Sequence, residues 1–387
     1  MPTKLENFLL ANKNIKPGSG VLSEDVALAL AALCFLGVLA FHFLAYLTTP
    51  DLRKVDDVQI IRYLIIGALI ASGATSMVNL IFGRLRGISC LTLSLLFLSF
   101  LLGGSSVEVD PNFPAHTPYV GLDWFTLDLL GSACVFIFME KIMPLRRTQR
   151  VFRQEWSTDL IYFGVNHLLI GFLLLTTNQM VQSLVGWADR DGLQAWVQNL
   201  PFFVALPLII LVADLMQYWV HRMCHQVPFL WRFHAIHHSI KQVDWLAGSR
   251  LHIVDLLLFR TLVLAPITFL GFSKSVVDAY IVIVGFQAVF NHANVNVRLG
   301  AMRYVLVTPN FHHWHHSQDG DALDRNFAAH FAFLDYVFGT AVRSQKTWPK
   351  NYGVRGDYVP AGYLKQLLFP FSCKVLRHGI KRQKKQG

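Results

Sequence analysis

The sequence predicts an all-α integral membrane protein, and composition and apolar segments carry this prediction. Of the 387 residues, 53% are hydrophobic and only 15% are charged, whereas soluble chains carry about 25% charged residues. Thirty phenylalanines and nine tryptophans add side chains that suit lipid and its interface. Several apolar stretches approach the roughly 20 residues that a spanning helix needs. The chain is therefore expected to form a bundle of transmembrane helices.

The predicted spans follow one another along the first three quarters of the chain. The apolar segments are Val26–Leu47, Ile60–Phe82, Ile88–Leu102, Leu122–Ile142, a long run that follows Glu155–Asp159 and extends to Val185, Leu200–Val220, Ile253–Phe272 and Val276–Phe290. The last two are predicted to form a hairpin that turns near Gly271. Because Met1–Lys16 is polar, no cleavable signal peptide is predicted, and insertion is expected to use the spans themselves.

Three domains are predicted. Residues 1–154 form an N-terminal transmembrane block of about four spans, interpreted as packing and anchoring. Residues 155–345 carry the histidine clusters described below, and residues 346–387 form a basic cytoplasmic tail.

The net charge of +10 does not indicate nucleic-acid binding, because the basic residues lie in loops and in the tail. Five cysteines without a CxxC pair argue against a disulfide framework and a zinc-thiolate site.

Loop charge predicts the orientation, since short cytoplasmic loops are rich in Lys and Arg. Arg84 and Arg86 mark one cytoplasmic loop and residues 146–153 another, and counting spans onward places His221 on that side. The hairpin returns the later histidines to it. Arg53 and Lys54 fall in a loop that this count places outside. The tail fits a bacterial inner membrane or the endoplasmic reticulum, and the sequence does not distinguish them.

The histidines form three clusters beside apolar segments. They read HxxxH at His221, HxxHH at His234 and HxxHH at His312, with His292 standing alone. Residues three and four apart lie on one face of a helix, so each cluster can direct rings to a common point. Neutral imidazole is the commonest metal ligand, and eight or nine histidines exceed the four of a structural zinc site. The fold class therefore includes a cytoplasmic histidine-rich cap holding a di-metal site.

The clusters belong to longer motifs that resemble the fatty acid hydroxylase/sterol desaturase superfamily of membrane di-iron enzymes, over about residues 155–340. The matching segments are Asp214-Leu-Met-Gln-Tyr218-Trp219-Val-His221-Arg222-Met-Cys-His225, Trp231-Arg-Phe-His234-Ala-Ile-His237-His238-Ser239, Asn291-His292-Ala-Asn294, Phe311-His312-His313-Trp314-His315-His316-Ser317, Asp324-Arg-Asn326-Phe327 and Asp335-Tyr-Val-Phe338-Gly339-Thr340.

The resemblance implies a site, a reaction and an electron source. It implies two iron ions on the cytosolic side, held by His221, His225, His234, His237, His238, His292, His312, His315 and His316. It further implies that O2 is the co-substrate and that a C–H bond of a membrane lipid is oxidised. Because the chain carries no haem, flavin or iron–sulfur motif, an external donor of ferredoxin, flavodoxin or cytochrome type is expected. Zinc is a possible replacement for iron in preparations.

Four further residues are candidates for roles around the ligands. Asp214 and Tyr218 lie at helical intervals below His221, so Asp214 is predicted to orient a ligand, with a buried, otherwise satisfied carboxylate as the alternative. His252, with Arg250 and Asp255, resembles the family's stretch after the second cluster and is expected to orient a ligand or to face the substrate. Asn296 stands where the fatty acid 2-hydroxylase branch has another histidine.

Three other activities compete with hydroxylation. The same family includes sterol desaturases and C-methyl oxidases, which remove hydrogen or carbon where a hydroxylase adds oxygen. A zinc-dependent membrane hydrolase would use metal-bound hydroxide and would not require oxygen. A metal transporter would place ligands deep in several spans, whereas these histidines gather at the ends of spans. The lipid substrate and the oligomeric state are not indicated by the sequence.

Overall fold

The computed structural model describes residues 21–49, 58–82, 86–109, 119–168, 170–187, 191–342 and 347–372. Residues 50–57 of the predicted loop that contains Arg53 and Lys54, together with Arg84 and the basic tail from Lys374, lie outside these residues. In the described part, regular structure is helical apart from two isolated β-bridges, which confirms the all-α class. The α-helices are α1 Val21–His42, α2 Leu44–Leu47, α3 Val58–Phe82, α4 Arg86–Leu101, α5 Leu122–Ile142, α6 Trp156–Leu168, α7 Ile170–Val185, α8 Asp191–Gln198, α9 Phe202–Gln226, α10 Pro228–His238, α11 Ile253–Leu270, α12 Lys274–His292, α13 Pro309–His315, α14 Phe333–Val337 and α15 Tyr363–Leu368.

Six helices in the described part are long and apolar enough to cross a membrane, namely α3, α4, α5, α9, α11 and α12. The predicted first span is shorter than expected, since Val26–His42 is a shorter apolar helix. The helix breaks at Phe43, whose backbone is not helical, and the His42 ring bonds the Leu102 carbonyl oxygen at 2.7 Å. The long run to Val185 forms two helices, α6 and α7.

The chain divides into two compact units, residues 1–124 and 125–387. In the first unit, α1 packs against α3 and α4. The buried face of α1 carries Ala27, Ala31, Cys34 and Val38, at the spacing of a single helix face. The Ser72 hydroxyl of α3 donates to the Ala27 carbonyl oxygen at 2.6 Å. Small side chains and interhelical hydrogen bonds are the usual means of association in lipid.

The second unit is built around α9, α11 and α12. Their shared apolar core includes Ile209, Val263 and Tyr280. The predicted hairpin is confirmed, because α11 ends at Leu270 and α12 begins at Lys274. Gly271 ends α11 with a φ of 67°, a left-handed conformation that glycine adopts without steric cost. The predicted domain boundaries after residues 154 and 345 stay predictions.

The ends of α5 and α12 meet on one side of the second unit. The Leu145 amide donates to the Asn294 carbonyl oxygen at 2.9 Å, and the Asn296 amide donates to Met143 at 2.8 Å. The Arg146 amide donates to the Asn294 side chain at 2.9 Å. The arginine-rich segment after α5 therefore lies beside His292, the last residue of α12.

Candidate metal centre

All nine predicted ligand histidines are buried and fall into two groups. Within each group the potential ligand atoms lie within 4.8 Å of one another. The first group consists of His221, His225, His234, His238 and His315. The second group consists of His237, His292, His312 and His316. His313 and His330, which the sequence analysis left out of the ligand set, belong to neither group.

Two helices supply ligands to both groups in a reciprocal pattern. On α10, the outer histidines of HxxHH enter the first group and His237 enters the second. On α13 and the residue after it, the outer histidines enter the second group and His315 enters the first. Residues four apart share a helix face. The helix α9 adds two histidines to the first group, and α12 adds one histidine to the second group.

Backbone carbonyls fix two rings of the first group. The Nδ1 atom of His221 lies 2.8 Å from the Phe327 carbonyl oxygen, and that of His315 lies 2.7 Å from the Arg325 carbonyl oxygen. A carbonyl only accepts, so each Nδ1 carries the proton and each Nε2 carries the lone pair of the neutral ring. These two Nε2 atoms are buried and have no hydrogen-bond partner among the described residues.

Carboxylates fix two other rings of the first group. His225 Nδ1 lies 3.1 Å from Asp324, and His234 Nδ1 lies 2.8 Å from Asp255. A carboxylate that accepts the second N–H of a histidine sets its tautomer and raises its basicity as a ligand. The Cys224 thiol donates to the same Asp255 at 3.7 Å. Four of the five rings in this group are thus oriented by a hydrogen bond at Nδ1.

The turn that carries these acceptors is held in an uncommon backbone conformation. Asp324 and Asn326 have φ values of 54° and 60°, in the left-handed region that Asp and Asn tolerate best. The Asn326 amide group donates to the Phe311 carbonyl oxygen and accepts from the Val342 amide, both at 2.8 Å. Arg325, between them, is thereby positioned to present its carbonyl to His315.

In the second group, lone pairs face each other. His292 Nδ1 lies 2.8 Å from the Ala288 carbonyl oxygen, and His237 Nδ1 lies 3.3 Å from the Arg250 carbonyl oxygen. Both Nε2 atoms are therefore acceptors in the neutral rings, yet they lie only 3.3 Å apart. A cation between them removes this repulsion. Nitrogens bound to one ion at about 2.1 Å lie roughly 3.0–3.4 Å apart, and His312 Nε2 is 3.0 Å from His292 Nε2.

The two groups lie side by side. The rings of His238 and His316, one from each group, stack with centroids 4.5 Å apart. The rings of His312 and His315 are 5.4 Å apart. The donor set is therefore one continuous cluster of imidazoles with two convergence points, and it fits two metal ions.

Burial keeps the ligands neutral. It lowers the pKa of His315 to about 3, and it lowers the pKa values of His237, His238, His312 and His316 well below 6.5, with neighbouring histidines acting in the same direction. Removing an imidazolium from water disfavours its charge. Each of these five rings therefore offers a lone pair at physiological pH.

Two buried aspartates shape the segment behind the first group. Asp214 accepts the backbone amides of residues 329, 330 and 331 at 2.6–3.0 Å. Asp335 accepts the amides of Phe327 and Ala328, both at 2.8 Å. Among the described residues the Asp214 carboxylate bonds these three backbone amides and no ligand ring. That Asp214 orients a ligand stays a prediction.

A buried ionic network lies behind the second group. Asp159 bonds Arg153 at 2.6 Å and Arg250 at 2.5 Å. Arg153 also pairs with Asp244 at 2.7 Å, and Arg250 with Glu155 at 2.9 Å. Buried charges persist where partners and hydrogen bonds satisfy them. The network fixes the main chain of Arg250, which holds His237.

Among the described residues, the other predicted supporting residues form no hydrogen bond with a ligand ring. The Tyr218 hydroxyl pairs with Thr340 at 2.9 Å, and its ring packs on Phe327. The His252 ring accepts from the Val254 amide and caps α11. Asn296 is exposed, because α12 ends at His292. His313 lies 2.8 Å from the Tyr352 hydroxyl.

Several supporting groups were not assigned from the sequence. Asp324 occurred in a motif without a role. Gly248 lies so close to His292 that an added Cβ would be 2.8 Å from Nδ1. Glu140 of α5, in a block interpreted as anchoring, accepts the amides of Trp245 and Asn294 at 2.8 and 2.9 Å. An acidic residue near the end of an apolar span was the signal available for Glu140.

The part of the chain that contains this centre is similar to known proteins. Residues 206–340 match the family described as fatty acid hydroxylase. The chain is 26% identical to the ornithine lipid hydroxylase OlsE of Rhizobium tropici over 68% of this chain and 80% of that protein. No solved structure matches the chain significantly.

Shorter matches reach animal and plant enzymes. The chain is 30% identical to the alkylglycerol monooxygenase of Homo sapiens over 33% of this chain and 28% of that enzyme. It is 27% identical to methylsterol monooxygenase 1-3 of Arabidopsis thaliana over 45% of this chain and 58% of that enzyme. The chain thus spans less than two thirds of these two relatives.

Proposed function

We propose that this chain, whose residues 206–340 belong to the fatty acid hydroxylase family, hydroxylates a C–H bond of a membrane lipid with O2 and externally supplied electrons. It is an oxidoreductase of the lipid hydroxylase and monooxygenase family. The observation that carries the proposal is the pair of adjacent histidine groups. In six of the nine rings an acceptor at Nδ1 fixes the tautomer, so that the Nε2 lone pair is free to bind a metal ion.

In this proposal the nine histidines hold two iron ions. An all-nitrogen donor set suits iron, zinc or copper, and the redox chemistry of iron is what oxidation of an unactivated C–H bond requires, since zinc has none. The irons supply the O2 chemistry that no side chain provides. The chain contributes orientation through the Nδ1 acceptors, and burial of all nine rings keeps bulk water out.

The position of the centre suits a substrate that arrives from the bilayer. His221 and His225 lie in the last two turns of α9, and His292 ends α12, so both spans stop at the centre. Each relative named above is, by its name, an oxygenase or hydroxylase of a lipid. These two facts support a lipid substrate, with its acyl chain or ring system entering between spans.

The arginine-rich segment beside His292 supports a cytoplasmic centre. Positively charged short segments remain on the cytoplasmic side, and Arg146 is bonded to Asn294. Electrons from a ferredoxin, flavodoxin or cytochrome would then arrive from the cytoplasm. Basic surface on this face suits docking of an acidic donor.

The test is metal content combined with turnover. Protein purified in detergent is analysed for metals, and O2 uptake is measured with a lipid extract and a reductant. We expect near two irons per chain, lipid-dependent O2 uptake, and a product heavier by one oxygen. Loss of two hydrogens would identify a desaturase of the same family. Oxygen-independent ester or amide cleavage by zinc-loaded protein, unchanged by reconstitution with iron, would overturn the proposal in favour of a hydrolase.

A further inference from the structure

A cavity of about 80 Å³ opens where the basic segment leaves the end of α5. Its wall includes four cationic side chains, one carboxylate and two amides: Lys141, Arg146, Arg147, Arg150, Glu140, Gln149 and Asn294. The volume suits a few water molecules or one small anion. The cavity is separate from both histidine groups, although Asn294 follows His292 by two residues.

In the part of the chain that the structure describes, the cations around the cavity outnumber its one carboxylate. Glu140 is engaged by two backbone amides. Arg146 donates to the Pro349 and Lys350 carbonyl oxygens and lies 4.8 Å over the Tyr352 ring. The described residues provide no ion pair for Lys141, Arg147 or Arg150. Three cations therefore face one concave site with no acidic partner assigned to them.

Two apolar residues stand in the sequence between the lining residues Lys141 and Pro144. Ile142 and Met143, at the end of α5, are 61% and 41% exposed, and α5 is one of the candidate spans. Exposed apolar side chains next to exposed cations are typical of the membrane interface, where anionic headgroups attract Lys and Arg. A ligand that satisfies both features has an anionic group and acyl chains.

We propose that this cavity binds the phosphate of an anionic phospholipid, with Arg147 and Arg150 donating to its oxygens and the acyl chains lying along Ile142 and Met143. Guanidinium groups suit phosphate because their donors match its oxygens in pairs. A small concave site next to the bilayer fits a headgroup better than the broad surface of a protein partner. The proposal does not depend on the reaction at the histidine centre.

The experiment measures lipid binding to the full chain in neutral detergent by native mass spectrometry. Phosphatidylglycerol, phosphatidylcholine and inorganic phosphate are titrated separately. We expect phosphatidylglycerol to bind about tenfold more tightly than phosphatidylcholine, and R147Q/R150Q to abolish that preference. Inorganic phosphate should compete only weakly, because it lacks the acyl chains. R298Q removes one exposed arginine outside the cavity and should leave the preference unchanged.

Each other result decides against the site. Equal loss in R298Q would indicate diffuse surface charge, and an unchanged preference in R147Q/R150Q would place the lipid elsewhere. Equal affinity for phosphatidylglycerol and inorganic phosphate would mean a free-anion site. If R147Q/R150Q loses affinity for an acidic ferredoxin while it keeps the lipid preference, the surface is a protein dock. R147K/R150K, which keeps both charges, should retain at least part of the preference.

Discussion

The two histidine groups are built from the same ligand type but are held in different ways. In the first group four of five rings have an Nδ1 acceptor, and two of those acceptors are the carboxylates Asp324 and Asp255. In the second group two of four rings have one, and both acceptors are backbone carbonyls. The Nδ1 atoms of His312 and His316 have no partner among the described residues. Carboxylates therefore bond rings of the first group directly. In the second group the ionic network around Arg250 acts only through a backbone carbonyl, and Gly248 packs closely against His292.

Removal of a shared-helix ligand should have the largest effect. His315→Ala deletes an imidazole of the first group that α13 supplies, so we expect that metal is lost and lipid-dependent O2 uptake falls to background, while the protein still inserts. His313→Ala is the matched control, because His313 is adjacent and buried but belongs to neither group. Wild-type iron content and turnover in a folded His315→Ala protein would contradict the assignment.

The carboxylates that bond Nδ1 atoms, Asp255 and Asp324, should affect metal affinity in the first group alone. Asp255→Asn keeps an acceptor near His234 but removes its charge, and metal affinity should fall about 10- to 100-fold. Dialysis against a graded chelator, followed by elemental analysis, should show one iron released early and one retained. Asp357→Asn is the control, since Asp357 pairs with Lys241 on the surface. Simultaneous early loss of both irons would show that the groups do not differ in this respect.

Packing should matter to the second group. Gly248→Ala places a Cβ 2.8 Å from His292 Nδ1 and 3.3 Å from the Ala288 carbonyl oxygen, so the ring must shift. We expect metal affinity at one site to fall several-fold, with a matching loss of turnover. Gly285 lies on α12, the helix that carries His292, and a Cβ added there would have nothing within 4 Å. Gly285→Ala should therefore behave as wild type. Equal behaviour of the two variants would remove the packing argument.

A smaller effect concerns the segment that supports the first group. Burial lowers the pKa of His330 to about 4, below the ordinary 6.5, so between these values the unfolded chain takes up a proton that the folded chain does not. Stability should therefore fall as pH drops from 6.5 to 4.5, by about 2 kcal/mol from this residue. Thermal unfolding should show a shallower pH dependence in His330→Gln. The same pH dependence of stability in both proteins would contradict the contribution assigned to His330.

The spacing of the histidines was enough to predict that clusters form, but not how they divide. Rings three and four apart share a face, so His234 could pair with His237 or His238. The division depends on where α9 and α13 approach α10, which is a tertiary property. Four of the Nδ1 acceptors are backbone carbonyls, at Phe327, Arg325, Arg250 and Ala288. Every residue type has a carbonyl, so no sequence signal marks them.

The existence of most spans could also be predicted from the sequence, but the ends of some of them could not. Apolar length identified α3, α4, α5, α9, α11 and α12, and the glycine at 271 marked the hairpin turn. The early end of α1 and the division of the run before Val185 could not be read from hydropathy. The helix α1 ends where His42 donates to the carbonyl oxygen of Leu102, the residue after α4. A one-dimensional hydropathy profile does not contain this contact.

The reciprocal pattern of α10 and α13 links the two sites thermodynamically. Because each helix supplies ligands to both groups, an ion bound at one site orders the rings that the other needs. The second ion then meets a smaller entropy cost, and by reciprocity each ion raises the affinity for its partner equally. Loading of the unsubstituted protein should therefore be cooperative: at limiting iron, molecules with two ions and with none should outnumber those with one. A substitution that weakens one group alone, such as Asp255→Asn, should instead populate the singly loaded form.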